Sequence, residues 1–400
     1  MTPIVQQAPL ALEERRVTLP TGELAVRVQA GHFSLDTLLG FAARANAKRG
    51  FLFLSKVLGK HWPVRPALMA EIHDCLARQV PADLPGPVVF IALAETGVGL
   101  GQGVFESWLA QQVPGRQQRA LFLHTSRYRV GEDTLIEFAE AHSHAPRQFL
   151  HMPAQEALRQ ILLTARSLVL VDDEASTGNT FLNLVEACRT LNPDISRVHL
   201  ATITNFMGHD VGSELSARFG LQVSTGAALD GDYVFAAGSL PSGATPAQRY
   251  DPLADSGASD RFGRLGLDRR VASPLTQAAE IAASICANAP VLVLGTGEFM
   301  HPAFLLAQAL AAHGLDVMVQ STTRSPILEW GAVRHVRQFA DNYGEGIPNF
   351  LYNVTPGQYA HVLICHETPV NPALLQLAAS LDARLIHFQS EGAIEQVPVY

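Results

Sequence analysis

Two hydrophobic periods alternate along this chain. Short apolar runs at Val88 to Leu93, Ala120 to His124, Leu168 to Val171 and Val198 to Thr204 read as strands buried on both faces. Between them, apolar residues recur at helical spacing over Ala67 to Gln79, a stretch ending near Gln112, Ala154 to Leu163 and a stretch from about Phe181 to Leu191. The alternation of strand and helix predicts an α/β fold, a doubly wound parallel sheet with helices on both faces. Gly22 to Gln29 alternates as a strand, and Leu35 to Ala47 reads as a helix capped by Ser34. A second, smaller α/β unit of Rossmann-like pattern begins near Leu275. Its predicted helices are Leu275 to Asn288, one running to His313, and Pro372 to Leu381. Its predicted strands are Val291 to Leu294, Asp316 to Gln320, Asn349 to Val354, Val362 to Cys365 and Arg384 to His387.

Gly, Ser, Pro and Asp concentrate between Gly238 and Gly266, where the periodicity fades. The resulting division is an irregular segment over 1–20, a first domain over 21–210, a connecting region over 211–271 and a second domain over 272–400. Within the connecting region the charged pattern around Arg261, Arg264, Arg269 and Arg270 reads as exposed turns, with an anion-binding flap as the alternative.

Composition narrows the class. With 48% hydrophobic and 16% charged residues the chain can bury large cores. A net charge of −8 argues against a general nucleic-acid or anionic-membrane binder. Cys75, Cys188, Cys286 and Cys365 are scattered without metal-ligand spacing, as expected of reduced thiols in a cytoplasmic protein. No signal-peptide pattern opens the sequence, and no apolar run approaches the ~18 residues of a membrane span.

The most informative chemistry lies at the end of the Leu168 to Val171 strand. Asp172 and Asp173 stand at its carboxyl end, where ligands of open α/β sheets bind. Ser176, Thr177, Gly178, Asn179 and Thr180 then lead into a helix, offering backbone N–H groups and hydroxyls to an anion. Acids beside an anion pocket suit a sugar phosphate: hydroxyls for the acids, phosphate for the loop. A plain strand-turn-helix with one capping Asp is the bland alternative, and two acids with this loop disfavour it.

Other motifs join it. Thr96, Gly97 and Gly99 follow the strand at Val88 to Leu93 and suit close backbone approach to a diphosphate, or else a simple turn. Phe51 to Val64 joins an apolar strand to a basic turn, where Lys56, Lys60 and His61 either face an anionic or acidic ligand or sit at the surface. Arg127 or Arg129 can reach a diphosphate from the strand before them. His142 and His144, in a polar stretch from Arg127 to His151, suit a hood over the site or a solvated loop. Gly295-Thr296-Gly297 lacks the third glycine of a dinucleotide fingerprint, Met300 standing there, and the strand ending Gln320-Ser321 offers no ribose acid. NAD binding is therefore rejected. Thr323, Arg324 and Ser325 suit an anionic group, and Glu298, His301, His366 and Glu367 follow neighbouring strands that can converge on one crevice.

The Asp172-to-Thr180 pattern resembles the phosphoribosyl-diphosphate (PRPP) loop of type I phosphoribosyltransferases. With Phe51 to Val64, Glu95 to Gly101, His124 to Arg127, Glu140 to Ala145 and Thr323 to Pro326, the chain resembles a bacterial family associated with tellurite-resistance and stress operons. In that family an orotate-phosphoribosyltransferase-like domain precedes a domain named for its Thr-Arg-Ser-Pro signature.

The resemblance implies a cytoplasmic PRPP-dependent enzyme, a pentosyltransferase, making a nucleoside-like metabolite from an unidentified base. It implies that Asp172 and Asp173 hold the ribose hydroxyls and Ser176 to Thr180 the 5-phosphate. It assigns Thr96, Gly97 and Gly99 to the diphosphate. Arg127 is placed among the catalytic residues. Mg2+ is expected mainly through PRPP, with Asp172 and Asp173 as candidate ligands. The partners are small molecules, without membrane or nucleic acid, and a homodimer is left open. Ser176 stands where hypoxanthine-type members carry an Asp general base, which favours the orotate-like branch. Glu174, where many relatives have an apolar residue, departs from the pattern. The rival reading is a regulator or interaction module that senses PRPP without turnover; a catalytic second domain is the third.

Overall fold

The computed structural model describes residues 13–46, 49–113, 118–130, 134–139, 147–208, 211–239, 257–286, 288–391 and 393–397. Its larger sheet is built on five parallel strands. In spatial order these are Gln222–Ala237, Arg197–Asn205, Ser167–Ala175, Val88–Ala92 and Ala120–His124. Gly22–Gly31 adds antiparallel to Gln222–Ala237, and Glu13–Leu19 pairs antiparallel with Gly22–Gly31. The central strands are apolar on both faces because helices cover both: Pro66–Gln79 and Gly97–Gln111 on one side, Glu156–Leu163 and Asn179–Leu191 on the other. The chain leaves Val88–Ala92 for Ala120–His124 on one flank and returns to Ser167–Ala175 on the other. A crevice therefore opens at the carboxyl ends of Val88–Ala92 and Ser167–Ala175.

The second sheet runs Asp316–Ser321, Pro290–Gly295, His361–His366, Ala383–Ser390 and Ala393–Val397, parallel except for its last strand. His301–Ala312 and Pro372–Leu381 cover it, the former against Leu275–Ala283. Its own switch point lies between Pro290–Gly295 and His361–His366. The fold is thus a doubly wound, mainly parallel α/β sheet with a second, Rossmann-like α/β layer.

Several local expectations yield to tertiary pairing. Glu13–Leu19, within the segment read as irregular, is a strand, because Gly22–Gly31 supplies a full antiparallel ladder to it. The helix expected over Leu35 to Ala47 stops at Leu38. Leu39–Ala43 instead pairs antiparallel with Phe51–Ser55, burying Leu39, Ala42 and Ala43 in a hairpin. The expected connecting region begins as part of the first sheet: Val211–Phe219 is helix and Gln222–Ala237 pairs on both edges. The later strap, from residue 257, lies along the sheet edge, where Leu267 and Phe122 exchange backbone hydrogen bonds of 2.9 and 2.7 Å. Arg264 on this strap is not the exposed turn residue expected; it is 1% exposed. The Arg127 to His151 stretch contains the antiparallel pair Thr134–Ala139 and Arg147–His151, while His142 and His144 lie outside the described residues. No helix among the described residues is long and apolar enough to cross a membrane.

Buried histidines give the fold a pH signature. Burial pushes His61 and His73 down to about 3, with Lys60 and His301 respectively adding to the effect, and burial alone pushes His199 down to about 4. Their folded values lie below the unfolded value, so the unfolded chain takes up more protons as pH falls below about 6.5. The stability they confer is complete above that pH and is lost toward the folded values, at about 1.4 kcal/mol per pH unit for each histidine. Denaturant unfolding at pH 7 and pH 5 should show this loss, and His199→Gln should flatten it by about one proton. Parallel pH slopes for the two proteins would contradict the assignment.

Candidate active site

The strand Ser167–Ala175 carries Asp172, Asp173 and Glu174 past the end of its apolar core, all three half-buried. Asp173 accepts a hydrogen bond from the Thr96 hydroxyl at 2.8 Å, while its backbone N–H donates to Asp172 Oδ1 at 2.9 Å. Thr96 caps the helix Gly97–Gln111. A Cβ on Gly97 would stand 3.0 Å from the Val171 carbonyl oxygen and 3.3 Å from Asp172, so the two strand-end loops meet because Gly97 has no side chain. Ser176 to Gly178 make the second turn. Gly178 caps Asn179–Leu191 with φ 71°, in the left-handed region that favours glycine. Of the first-turn N–H groups, that of Gly97 donates to the Leu93 carbonyl at 2.8 Å and that of Asn179 to Thr177 Oγ1 at 3.4 Å; the N–H groups that follow in each first turn lack intrahelical acceptors and suit anions. Arg218 donates to the Thr177 carbonyl at 3.2 Å and to the Asn179 side chain, tying this turn to Val211–Phe219.

Across from these acids stands the Leu39–Ala43/Phe51–Ser55 hairpin. Arg49 pairs with Glu174 at 2.5 Å and lies over the Phe51 ring. Burial raises the Glu174 carboxyl against the pull of Arg49. Glu174 therefore meets a cation of its own domain. Arg44 donates to Ser325 Oγ at 3.1 Å; burial and then Arg49 lower its pKa to about 10.

The turn from Ala94 to Gly97 is held from both domains. Lys60, fully buried, pairs with Glu95 at 2.5 Å and donates to the Gly297 carbonyl at 2.6 Å. Burial lowers Lys60, and Glu95 opposes that shift. Burial would raise Glu95, but Lys60 and Arg324 outweigh it and hold the carboxyl below its usual range. Arg127 donates from Nη2 to the Ala94 carbonyl at 3.2 Å. Arg324 pairs with Glu345 at 2.7 Å and stacks on Tyr128, which stacks on Tyr343. Gly99 sits inside the helix, where a Cβ would come within 2.9 Å of Met300.

Beside this turn is a buried charge junction. Arg264 pairs bidentately with Glu367, at 2.6 and 2.8 Å, and with Glu298 at 3.3 Å. Glu298 also accepts from Ser126 Oγ at 2.7 Å and from the Arg127 backbone N–H at 2.6 Å.

The structure thus brings together Asp172, Asp173, Thr96, Gly97 and Ser176 to Thr180. It sets Arg127, Lys60 and Arg324 around the adjoining turn, and Ser325 against Arg44 of the hairpin. Lys56 is elsewhere, donating to the Asp36 carbonyl at 2.8 Å. His301 turns to Glu106 at 3.1 Å and His366 to the Thr368 carbonyl, so neither joins Glu298 and Glu367. Thr323 exchanges backbone hydrogen bonds with Phe350. Arg44 and Arg264 were missed by sequence reasoning. For Arg264 a signal existed: Phe262, Leu265 and Leu267 around it are an apolar pattern, unlike an exposed turn. Among the described residues, no group of three or more His, Cys, Asp or Glu side chains gathers in a metal-binding cluster. Asp172 and Asp173 offer adjacent hard oxygen donors, which suits an ion sharing ligands with a phosphate substrate.

Residues 38–232 match a family described as phosphoribosyl transferase, and residues 260–382 match the TRSP domain found C-terminal to it. No curated protein matches the chain. Among solved structures, adenine phosphoribosyltransferase from Rhodothermus marinus is similar at 13% identity, over 49% of this chain and 97% of that one, with a TM-score of 0.31. Orotate phosphoribosyltransferase from Francisella tularensis is similar at 15% identity, over 54% and 79%, with a TM-score of 0.28. The Trypanosoma brucei adenine enzyme, solved with AMP, pyrophosphate and ribose-5-phosphate, shares 13% identity over 49% and 77%, with a TM-score of 0.31.

Removing Arg264 would leave Glu298 and Glu367 buried without their cation. Arg264→Ala should cost about 3–5 kcal/mol of stability in denaturant unfolding. The exposed neighbour change Arg261→Ala should stay within about 0.5 kcal/mol. Equal effects would show that the junction carries no special weight.

Proposed function

Taking the chain as a phosphoribosyltransferase, a pentosyltransferase whose transferase domain is followed by a TRSP domain, we propose that it joins ribose 5-phosphate from PRPP to a nitrogenous base and releases diphosphate. The observation that carries this reading is the bond from Thr96 to Asp173. It sets the turn suited to diphosphate against the acids and loop suited to ribose 5-phosphate.

In this reading a base nitrogen attacks C1 of the ribose, the C1–O bond to diphosphate breaks, and its electron pair leaves with the diphosphate. The proton of the attacking nitrogen passes to solvent. Such glycosyl transfers pass through oxocarbenium character at C1. Asp172 and Asp173 take the ribose hydroxyls. The turn from Ser176 to Thr180 takes the 5-phosphate on backbone N–H groups and hydroxyls. Thr96 and Gly97 receive the diphosphate at a helix N-terminus, with the Arg127 guanidinium beside it. Positioning and electrostatics supply the rate. Mg2+ bound with PRPP would be held by PRPP oxygens with Asp172 and Asp173, and would neutralise charge on the leaving diphosphate.

The acceptor branch is a finer proposal. Ser176, a hydroxyl where an acid would serve purine chemistry, supports an orotate-like acceptor. The attached TRSP domain supports a dedicated biosynthetic role in making a nucleoside-like metabolite.

Diphosphate release from PRPP, followed with a panel of nitrogenous bases and a cell extract, tests the reaction. Asp172→Asn/Asp173→Asn should weaken PRPP binding by roughly ten- to a hundredfold, as expected for lost charge-assisted hydrogen bonds, and abolish turnover. Unchanged PRPP affinity and turnover in that variant would remove the site assignment.

A further inference from the structure

We infer that Glu298, a residue of the second domain, is a positioning residue for the first domain's reaction: it fixes the Ser126–Arg127 turn so that the Arg127 guanidinium stays at the diphosphate turn. The inference rests on the transferase reading above and adds a named residue from the other domain to it.

Glu298 follows the strand Pro290–Gly295 and is 3% exposed. A buried carboxylate needs its oxygens satisfied, and three of the donors around this one come from outside its own sheet. Oε2 accepts from the Ser126 hydroxyl at 2.7 Å and stands 3.3 Å from Arg264 Nη2. Oε1 accepts from the Arg127 backbone N–H at 2.6 Å. Ser126 Oγ also accepts from the Tyr128 N–H at 3.0 Å, so the hydroxyl is spent on fixing one turn. That turn directly follows the strand Ala120–His124. From it, the Arg127 side chain reaches the Ala94 carbonyl, next to Glu95 and Thr96.

Glu298 is in turn held in place. Arg264 reaches it while locked bidentately to Glu367, at the end of the neighbouring strand His361–His366. The carboxylate is therefore fixed by the strap, which Glu367 anchors, and spends its other acceptors on another domain's turn. A group needed only to close the interface would not have to engage both the hydroxyl and the backbone of the residues that aim Arg127. The arrangement also gives the second domain a part in the first reaction without a ligand of its own.

PRPP binding by the full-length protein, measured by calorimetry with Mg2+ and no base, tests this. Arg127→Ala sets the reference loss. Glu298→Ala should weaken PRPP binding roughly tenfold, the loss expected for misplaced charge-assisted contacts. The double variant should bind no more weakly than Arg127→Ala, because both changes remove one contribution. Glu298→Gln keeps an acceptor oxygen and should recover part of the loss. If Glu298→Ala does not fold, Ser126→Ala tests the same turn from the first domain, with a several-fold loss that again disappears in the Arg127→Ala background. Wild-type affinity in the folded variants, or losses that add to that of Arg127→Ala, would overturn the inference. Failure of the unaltered protein to bind PRPP would overturn the transferase site assignment beneath it.

Discussion

One buried ion cluster governs how this molecule is put together. Arg264, on the strap between the two sheets, is locked to Glu367 and reaches Glu298 with almost no access to water. Burial works against its charge and Glu367 outweighs that cost, so the guanidinium is held even more firmly protonated than usual. A charge in so dry a place is tolerated only while its partners are present. The strap, the second sheet and the Ser126–Arg127 turn must therefore be assembled together.

That constraint sets the relation between the two domains. Both sheets present carboxyl ends, where α/β folds put their chemistry, and they present them to each other. The second sheet's end is filled by first-domain groups: Lys60 against Gly297, Tyr128 against Arg324 and Tyr343, and Ser126 against Glu298. The first sheet keeps Asp172, Asp173 and the Ser176 to Thr180 turn half-buried or more exposed at one side, apart from Gly178. The second domain thus walls in the first domain's strand-end loops, with Met300 against Gly99 and Ser325 against Arg44.

Much of this was legible in the chain itself. Apolar runs bounded by turns located the central strands, because strands buried on both faces leave a continuous signal. The two acids and the Gly178 turn stood out because their spacing is local: strand end, loop and helix cap lie within one short segment. Leu39–Ala43 misled for the opposite reason. Its residues suit a helix locally, and only Phe51–Ser55 beside them makes it a strand.

The sequence by itself determined the layered α/β architecture, the position of the acids and loop suited to a sugar phosphate, and the Thr-Arg-Ser-Pro segment as a site of interest. These depend on neighbours along the chain. The tertiary structure alone decided that Lys60 meets Glu95, that Arg264 meets Glu367 and Glu298, and that Glu298 accepts from a turn in the other domain. Such pairings join residues far apart in sequence. Charge and hydropathy patterns do not encode them, because a Glu or Arg reads as exposed until the fold supplies a buried partner.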